Sequence, residues 1–403
     1  MSPIWGLLRR LTVRDRNNIF TAQTRLKSIR ILDAMSHKQV IQQLLDKAQI
    51  QINGTQPGDI QVHNDGLYGR VLAEGSLGLG ESYMDGWWDS MQLDEFFAKV
   101  HTVQLDKDIV DTRLIVNAVK ARVFNMQNKR LSKRVANEHY NLDNDFYEKM
   151  LDPHMQYTCA YWKGAHTLAE AQEQKLELIC RKLQLRKGDR ILELGCGWGG
   201  FAQYAASKYG CSVVAHNISS EQVAFARRWC ADLPVEVIQG DYREATGEFD
   251  KVAAIGLTEH VGYKNYRTLM ETAHRRLKPH GLFLLHTIGN NASVTTSDPW
   301  FDKYIFPGGM LPSVAQLSAA MDGLLVMEDW HNFGPDYDKT LVAWQNNVDK
   351  HWGEFKAKFD ERFHRMWRYY LLSLAGSFRA RKIHLWQIVM SKQGVLGGYE
   401  SVR

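Results

Sequence analysis

A glycine-rich loop between a buried strand and a helix constrains this chain more than any other feature. The segment RILEL (190–194) favours a short buried strand, ELGCGWGG (193–200) overlaps its end, and FAQYAA (201–206) has helical character. Glycines at such a turn let the backbone approach a bound ligand where a side chain would collide. The order of strand, glycine loop and helix therefore predicts a nucleotide-type cofactor at the carboxyl edge of a sheet.

Alternating apolar segments continue beyond this loop. Further strands are predicted over 211–215, 235–238, 251–255 and 282–285, and a helix over 219–229. Strands that alternate with helices are typical of a parallel sheet covered on both faces. We therefore predict an α/β fold whose catalytic part, residues 138–403, is a doubly wound, mostly parallel sheet resembling the Rossmann arrangement.

The segment 36–111 has a different pattern, which predicts a smaller N-terminal α+β domain. Apolar residues at helical spacing occupy 40–48, Asn53-Gly54 indicates a turn, and 60–62 favours a strand. Four glycines lie within GSLGLGESYMDGWWD (75–89), which predicts tight turns packed under large rings. The residues at 93, 96, 97 and 100 then mark one face of a helix.

The net charge of +5 is unevenly placed. Residues 1–34 carry seven basic and two acidic residues, so the remainder of the chain sums to zero. We treat 1–35 as a basic N-terminal extension: an interfacial membrane helix, a disordered basic tail or, ranked last, a transit peptide. A second basic segment, 112–137, has apolar residues at helical spacing, which predicts an amphipathic linker that attracts anionic lipid; a solvated helix face is the ordinary alternative.

Other compositional features exclude several classes. The longest apolar run is too short to span a bilayer, and the N-terminus lacks the pattern of a secretory signal, which predicts a cytoplasmic protein. The five cysteines show no CxxC pairing, so we expect neither a metal site nor disulfides. No RNA-binding module accompanies the basic segments, so we expect no nucleic-acid partner.

The spacing of the loop glycines distinguishes between cofactors. Gly195, Gly197, Gly199 and Gly200 follow Glu193 closely, and this form resembles the first motif of S-adenosylmethionine-dependent methyltransferases. Most members of that class end the second strand in an acidic residue that binds the ribose. Here that end has no carboxylate, and we expect Gln222 in the next helix to replace it.

Nine blocks in one order carry a narrower resemblance, over about residues 36–395. This chain resembles the bacterial cyclopropane-fatty-acyl-phospholipid synthases in GSLGLGESYMDGWWD (75–89), EHYNLDNDFY (138–147), LDPHMQYTCAYW (151–162), ELGCGWGG (193–200), TEHVG (258–262), LLHTIG (284–289), DPWFDKYIFPGGMLPS (298–313), MEDWHNFGPDYDKTL (327–341) and FRARKIHLWQ (378–387).

The resemblance implies methylene transfer from S-adenosylmethionine to the cis double bond of a phospholipid acyl chain. It further implies a homodimer associated peripherally with the anionic inner membrane. The positions that match the family's cofactor contacts are Tyr157, Thr158, Gly195, Gly197, Ile218, Gln222, Asp241 and Tyr242, with Asp241 a candidate acceptor for the adenine amino group.

The family also uses bound bicarbonate, and the matching positions are Cys159, Glu259, His286 and Tyr337. Methyl transfer to an alkene leaves a carbocation that must lose a proton, so a base is required. Without the resemblance, Cys159 and His286 would be taken as core residues and Glu259 as a helix N-terminal carboxylate. The resemblance favours a site role for Glu259 and His286 but leaves His260 structural.

Two rival functions remain. A related enzyme would methylate the same double bond and give a methyl-branched or methylene product; retention of all four bicarbonate-type positions favours ring closure. A lipid-binding protein without activity is the rival from another class, and the intact glycine loop argues against it.

Overall fold

The computed structural model describes residues 36–105 and 144–403. The predicted extension 1–35 and the predicted linker 112–137 lie outside these residues. The helices are α1 (His37–Lys47), α2 (Gly66–Glu74), α3 (Ser76–Met84), α4 (Leu93–Thr102), α5 (Asn144–Met150), α6 (Leu168–Lys182), α7 (Gly200–Tyr209), α8 (Ser220–Trp229), α9 (Tyr266–Arg276), α10 (Pro299–Tyr304), α11 (Val314–Met321), α12 (Pro335–Phe355) and α13 (Glu361–Arg379). The strands are β1 (Ile60–Val62), β2 (Trp88–Ser90), β3 (Arg190–Leu194), β4 (Ser212–Asn217), β5 (Val235–Gln239), β6 (Phe249–Ile255), β7 (Leu277–Asn290), β8 (Val326–Asn332) and β9 (Ile383–Ser391).

A seven-stranded sheet in the order β5-β4-β3-β6-β7-β9-β8 forms the centre of the molecule. Strands β3 to β7 pair in parallel, whereas β9 runs antiparallel to both of its neighbours. Apolar side chains on the two faces of the sheet pack under different helices, in two separate clusters. The α/β fold class is therefore confirmed, with an antiparallel pair at one edge that the sequence pattern did not predict.

The N-terminal segment combines α1 to α4 with the antiparallel pair β1 and β2. Ser36 begins α1 with a capping box, because its hydroxyl accepts from the Gln39 backbone and the Gln39 side chain accepts from Ser36. The predicted strand at 60–62 and the predicted helix face after residue 92 are confirmed.

The expectation of tight turns across the glycine cluster is confirmed at Gly75 and at Gly86, which has a φ of 72°, but it is wrong for 76–84. Residues Ser76–Met84 form α3, and Gly75 at φ 61° only separates it from α2. The glycines serve helix packing: a Cβ on Gly78 would lie 2.4 Å from the carbonyl oxygen of Arg70, and one on Gly80 would lie 2.4 Å from the Trp300 ring. Because glycine has no side chain, α3 can approach α2 and α10 closely at these positions.

The N-terminal segment and the last two long helices share one hydrophobic cluster. Trp88, Phe97 and Trp300 are buried in it, and Tyr369 of α13 packs edge-on against Phe97 at 5.2 Å between ring centroids. A Cβ on Gly376 would lie 2.4 Å from the Asp94 carbonyl oxygen, which shows how closely α13 approaches α4. Residues 36–105 therefore form a wall against the catalytic part.

Within 36–105 and 144–403, no helix combines the length and apolar character that would let it cross a bilayer.

Candidate active site

A cavity of about 150 Å³ opens at the carboxyl ends of β3, β4, β5 and β6. This is the edge at which an open parallel sheet binds its ligand. All eight residues that the sequence predicts as cofactor contacts line it: Tyr157, Thr158, Gly195, Gly197, Ile218, Gln222, Asp241 and Tyr242. Four separate sequence blocks therefore converge on one cavity, which we call the cofactor cavity.

The glycine loop leaves room where a cofactor would lie. Gly195, Gly197 and Gly199 have φ angles of 81°, 54° and 90°, a region that favours glycine. A Cβ added to Gly197 would meet no atom of the described residues within 4 Å. At Gly197 the loop thus presents bare backbone to an open space, as a methyltransferase cofactor requires.

The end of β4 carries amides in place of the missing carboxylate. The Asn217 side chain donates to the Gly197 carbonyl at 3.0 Å and to Gln222 Oε1 at 2.9 Å. Asn217 therefore joins the glycine loop to the first turn of α8. Gln222 lies where the sequence places it, but Asn217 is a cavity residue that sequence reasoning missed.

The Asp241 carboxylate is hydrogen-bonded to Arg243, two residues further along the chain. Its carboxylate accepts from the Arg243 backbone at 2.9 Å and from Arg243 Nε at 2.7 Å. Each carboxylate oxygen has two acceptor positions, so a contact with an adenine amino group is compatible with this pairing. Arg243 also lines the cavity.

A second cavity of about 670 Å³ lies between the sheet edge and the N-terminal wall. Most of its lining is apolar, and the N-terminal segment contributes Ile41, Leu44, Leu45, Ile60, Leu67, Val71, Leu79, Trp88, Phe96, Phe97, Val100 and Leu105. The catalytic part contributes aromatic rings, among them Phe306, Tyr337 and Tyr370. We call this space the acyl cavity, because its walls suit a flexible apolar chain.

Four residues line both cavities: Tyr157, Thr158, Gly256 and His260. We call these four residues the junction, because they connect the cofactor cavity to the acyl cavity. The hydroxyl groups of Tyr157 and Tyr370 are 2.8 Å apart, which ties the junction to α13. His260, expected to be structural, also contributes to this junction, and burial lowers its pKa to about 4. Its sequence signals were the adjacent Glu259 and its own place in the block TEHVG (258–262).

Glu259 and His286 both line the acyl cavity. Glu259 Oε1 accepts from the Ile288 backbone at 2.7 Å, while its buried Oε2 has no hydrogen-bond partner among the described residues. Burial raises the pKa of Glu259 to about 7, so the carboxyl is only partly ionised at neutral pH.

His286 is 1% exposed, and its Nδ1 lies 3.2 Å from Gln387 Nε2. When that amide donates to Nδ1, the ring hydrogen resides on Nε2, which is buried and unpartnered within the described part of the chain. Burial lowers the pKa of His286 well below its usual value, so the ring is neutral. The site thus combines a carboxyl acceptor with a neutral imidazole donor.

The other two predicted residues differ in position. Tyr337 lies in the first turn of α12, lines the acyl cavity and packs on Phe378 at 4.7 Å between ring centroids. Cys159 is fully buried in the hydrophobic cluster and is not among the residues that line either cavity. Burial raises the pKa of its thiol well above the usual value, so it is not a thiolate.

No cluster suited to a metal ion occurs in the described ranges. The sheet, the glycine loop and the cofactor cavity together define an S-adenosylmethionine-dependent methyltransferase. A solved coclaurine N-methyltransferase with S-adenosylhomocysteine bound covers 78% of this chain and 99% of its own, with a TM-score of 0.65; at 20% identity this likeness concerns the fold alone.

Sequence comparison defines the family. Residues 127–388 match the family model for mycolic acid cyclopropane synthetase, and the chain belongs to this family. It is 50% identical to the cyclopropane-fatty-acyl-phospholipid synthase of Escherichia coli, over 90% of this chain and 95% of the relative. A probable fatty acid methyltransferase of Mycobacterium tuberculosis is 31% identical, over 80% of this chain and 84% of its own.

A solved structure of a mycolic acid cyclopropane synthase, complexed with S-adenosylhomocysteine and CTAB, is also similar. It is 29% identical with a TM-score of 0.60, and the match covers 64% of this chain and 98% of that structure.

Proposed function

We propose that this chain is a cyclopropane-fatty-acyl-phospholipid synthase, which transfers a methylene group from S-adenosylmethionine to the cis double bond of an unsaturated phospholipid acyl chain. The observation that carries the proposal is the junction. Tyr157, Thr158, Gly256 and His260 line both cavities. A double bond in the acyl cavity would therefore lie next to the methyl group of a cofactor bound in the cofactor cavity. The 50% identity to the E. coli synthase supports the same substrate class.

The chain's own residues supply position and surroundings. When bound, S-adenosylmethionine would supply an electrophilic methyl group at the junction. The walls of the acyl cavity hold the alkene, a weak nucleophile, against that point and exclude water, which would otherwise capture a cation. The rings of Tyr337, Phe306 and Tyr370 line the same space, and their faces stabilise positive charge on the substrate.

The base that removes the final proton is the second part of the proposal. The unpartnered Glu259 Oε2 and the Nε2 hydrogen of His286 suit a small oxyanion that both donates and accepts. Bicarbonate has this chemistry: the Glu259 carboxylate would accept a hydrogen bond from it, and His286 and Tyr337 would donate to it. These residues would hold it, and it would supply a basic oxygen. We assign Cys159, buried beside this region, a role in shape and not in thiolate chemistry.

Carbonate dependence tests this assignment. Rigorous removal of dissolved carbonate should slow the wild type, and added bicarbonate should restore its rate. His286→Ala and Tyr337→Phe should lower turnover far more than cofactor affinity, whereas Cys159→Ser should be tolerated better than a bulky residue. Full activity in carbonate-free buffer would return the role of base to Glu259 or His286 directly.

The same substrate implies a location at a membrane surface. We propose that the enzyme is cytoplasmic, acts as a homodimer and binds the anionic inner membrane peripherally through the basic segments 1–34 and 112–137. Each basic residue near such a surface contributes about 1 kcal/mol. Neutralising Lys129, Arg130, Lys133 and Arg134 should therefore weaken sedimentation with anionic vesicles, as should high salt. Unchanged sedimentation in both cases would leave these residues as a solvated face, and sedimentation equilibrium tests the dimer separately.

Product analysis tests the main activity. Liposomes of an unsaturated phospholipid are incubated with the protein and S-adenosylmethionine, and the acyl chains are analysed by mass spectrometry. A gain of one CH₂ per modified chain is expected. No gain under conditions in which S-adenosylhomocysteine binds would leave a lipid-binding protein without this activity.

A further inference from the structure

A buried lysine lies behind the cofactor cavity. Lys175 of α6 is 0% exposed, and its ammonium donates to Thr158 Oγ1 at 2.8 Å and to Gln156 Oε1. Both acceptors line the cofactor cavity, whereas Lys175 itself does not. Burying an ammonium group costs free energy unless the group is paired. The position of Lys175 next to two cavity residues therefore indicates a role beyond packing.

Thr158 is fixed from three sides. Its carbonyl accepts from Gln172 Nε2 at 2.8 Å, one helical turn before Lys175. Its Cγ2 methyl packs so closely on Gly256 that a Cβ there would lie only 2.7 Å away. With the methyl group against Gly256 and Oγ1 against Lys175, the side chain has one rotamer.

The Lys175 ammonium also determines the direction of hydrogen bonding at the Thr158 hydroxyl. Lysine donates three hydrogen bonds and accepts none, so Oγ1 must accept from Lys175 and its own hydrogen must point elsewhere. Thr158 lines the junction, so that hydrogen is available to a ligand. The result is a preset donor reinforced by a nearby positive charge, which favours an anionic acceptor.

Titratable groups surround Lys175. The Asp152 and Glu193 carboxyls and the neutral Cys159 thiol lie around the ammonium, and the neutral His286 ring lies within its electrostatic influence. Glu193 lines the cofactor cavity, and its buried Oε2 lacks a hydrogen-bond partner within the described ranges. Burial lowers the pKa of Lys175 to about 8 and raises that of Glu193 to about 8. At neutral pH the Lys175 ammonium is therefore mostly charged and the Glu193 carboxyl mostly protonated, so the Thr158 hydroxyl lies beside a positive charge that Glu193 does not neutralise.

We propose that Lys175 is a positioning residue that orients the Thr158 hydroxyl as a donor to the amino-acid carboxylate of the cofactor. The inference rests on the proposed function, because it takes S-adenosylmethionine as the ligand. The carboxylate is favoured over the proposed oxyanion because Gln156, the second acceptor of Lys175, lines the cofactor cavity and not the acyl cavity.

Two probes separate this role from a structural one. S-adenosylhomocysteine carries the amino-acid carboxylate, and 5′-methylthioadenosine lacks it while keeping the adenosine and the sulfur. Calorimetry on the full chain compares both ligands for the wild type, Lys175→Met, Thr158→Val and the double variant. A hydrogen bond to a charged group corresponds to a loss of roughly tenfold or more. We expect each single variant to lose that much affinity for S-adenosylhomocysteine and none for 5′-methylthioadenosine, and the double variant to lose no more than Thr158→Val.

Lys182→Met is the matched control, because Lys182 is equally buried on the same helix but contacts His331, which lines neither cavity. It should leave both affinities unchanged. If Lys175→Met does not fold, Lys175→Gln keeps a donor and should show an intermediate loss for S-adenosylhomocysteine alone.

Equal losses for the two ligands, or losses that multiply in the double variant, would overturn the role of Lys175. These are binding measurements. If the protein binds S-adenosylhomocysteine as expected but makes no cyclopropane product, the proposed function is refuted. The role of Lys175 in cofactor binding would still stand.

Discussion

The Glu259 carboxylate and the Ile288 backbone are joined by a hydrogen bond of 2.7 Å, two residues beyond His286 on the same strand. Side chains two apart share one face of a strand, and His286, Ile288 and Asn290 accordingly all line the acyl cavity. The bond fixes one oxygen of Glu259 and leaves the other for a ligand beside His286.

Glu259→Gln separates these two oxygens. The amide oxygen can still accept from Ile288, but the second position becomes a donor and loses its charge. We expect turnover to fall by about 10²-fold or more, because loss of this acceptor would displace the proposed base and a positioned base contributes in that range, while affinity for S-adenosylhomocysteine stays within about threefold. Glu177→Gln is the control, because that carboxylate contacts Tyr204 and Tyr209 outside both cavities. Equal losses of turnover and affinity would place Glu259 in cofactor binding.

The pKa of Glu259 predicts a pH dependence. Burial disfavours the ionised form and holds the proton up to about pH 7, so lowering the pH through 7 removes the anionic acceptor. Turnover at saturating substrates should therefore rise with pH around 7, and this step should be absent from the residual activity of Glu259→Gln. A step of the same midpoint in both proteins would assign it to another group.

Gly197 tests the cofactor cavity. A side chain here would enter space that no described residue fills, so Gly197→Val should abolish binding of S-adenosylhomocysteine while the fold remains. Gly323→Val is the control, because this exposed glycine has a similar φ of 67° and an equally open Cβ position in the described structure. Both variants carry backbone strain, but only the first should lose binding by calorimetry. Wild-type affinity in Gly197→Val would contradict the location of the cofactor.

Gly80 tests the packing of the N-terminal wall. A methyl group there would overlap the Trp300 ring, so Gly80→Ala should lower the free energy of unfolding by about 1–3 kcal/mol. Gly353 lies in α12 with open space around its Cβ position among the described residues, so Gly353→Ala should raise it by about 0.5–1 kcal/mol. Urea unfolding measures both. A stabilising Gly80→Ala would show that α3 and α10 do not pack this closely.

Local pattern was enough to predict the parallel strands. The predicted bounds of β1 and β3 are those observed, because each is a short apolar run bounded by turn residues. Prediction failed for features that depend on contacts between residues far apart in the sequence. The antiparallel β9 pairs with β7 across about a hundred residues, and the purpose of Gly80 depends on Trp300, more than two hundred residues away.

The same division holds for the site. Motifs placed individual residues such as Gln222 and Glu259, whose blocks are locally distinctive. They did not place Lys175, which has no motif and acts through a contact with Thr158 that only the packing of α6 creates. Nor did they show that the N-terminal segment supplies one wall of the acyl cavity, since this depends on how two distant parts of the chain pack together.

The most direct test of the central claim follows the methyl hydrogens into the product. The protein is incubated with liposomes of a cis-unsaturated phospholipid and S-adenosylmethionine whose methyl group carries three deuterium atoms. The account predicts a modified acyl chain that keeps two of the three, resists mild hydrogenation and shows the upfield methylene protons of a cyclopropane ring by NMR when unlabelled cofactor is used. A chain that keeps all three deuterium atoms as a methyl branch, or that takes up hydrogen as an alkene, would contradict it.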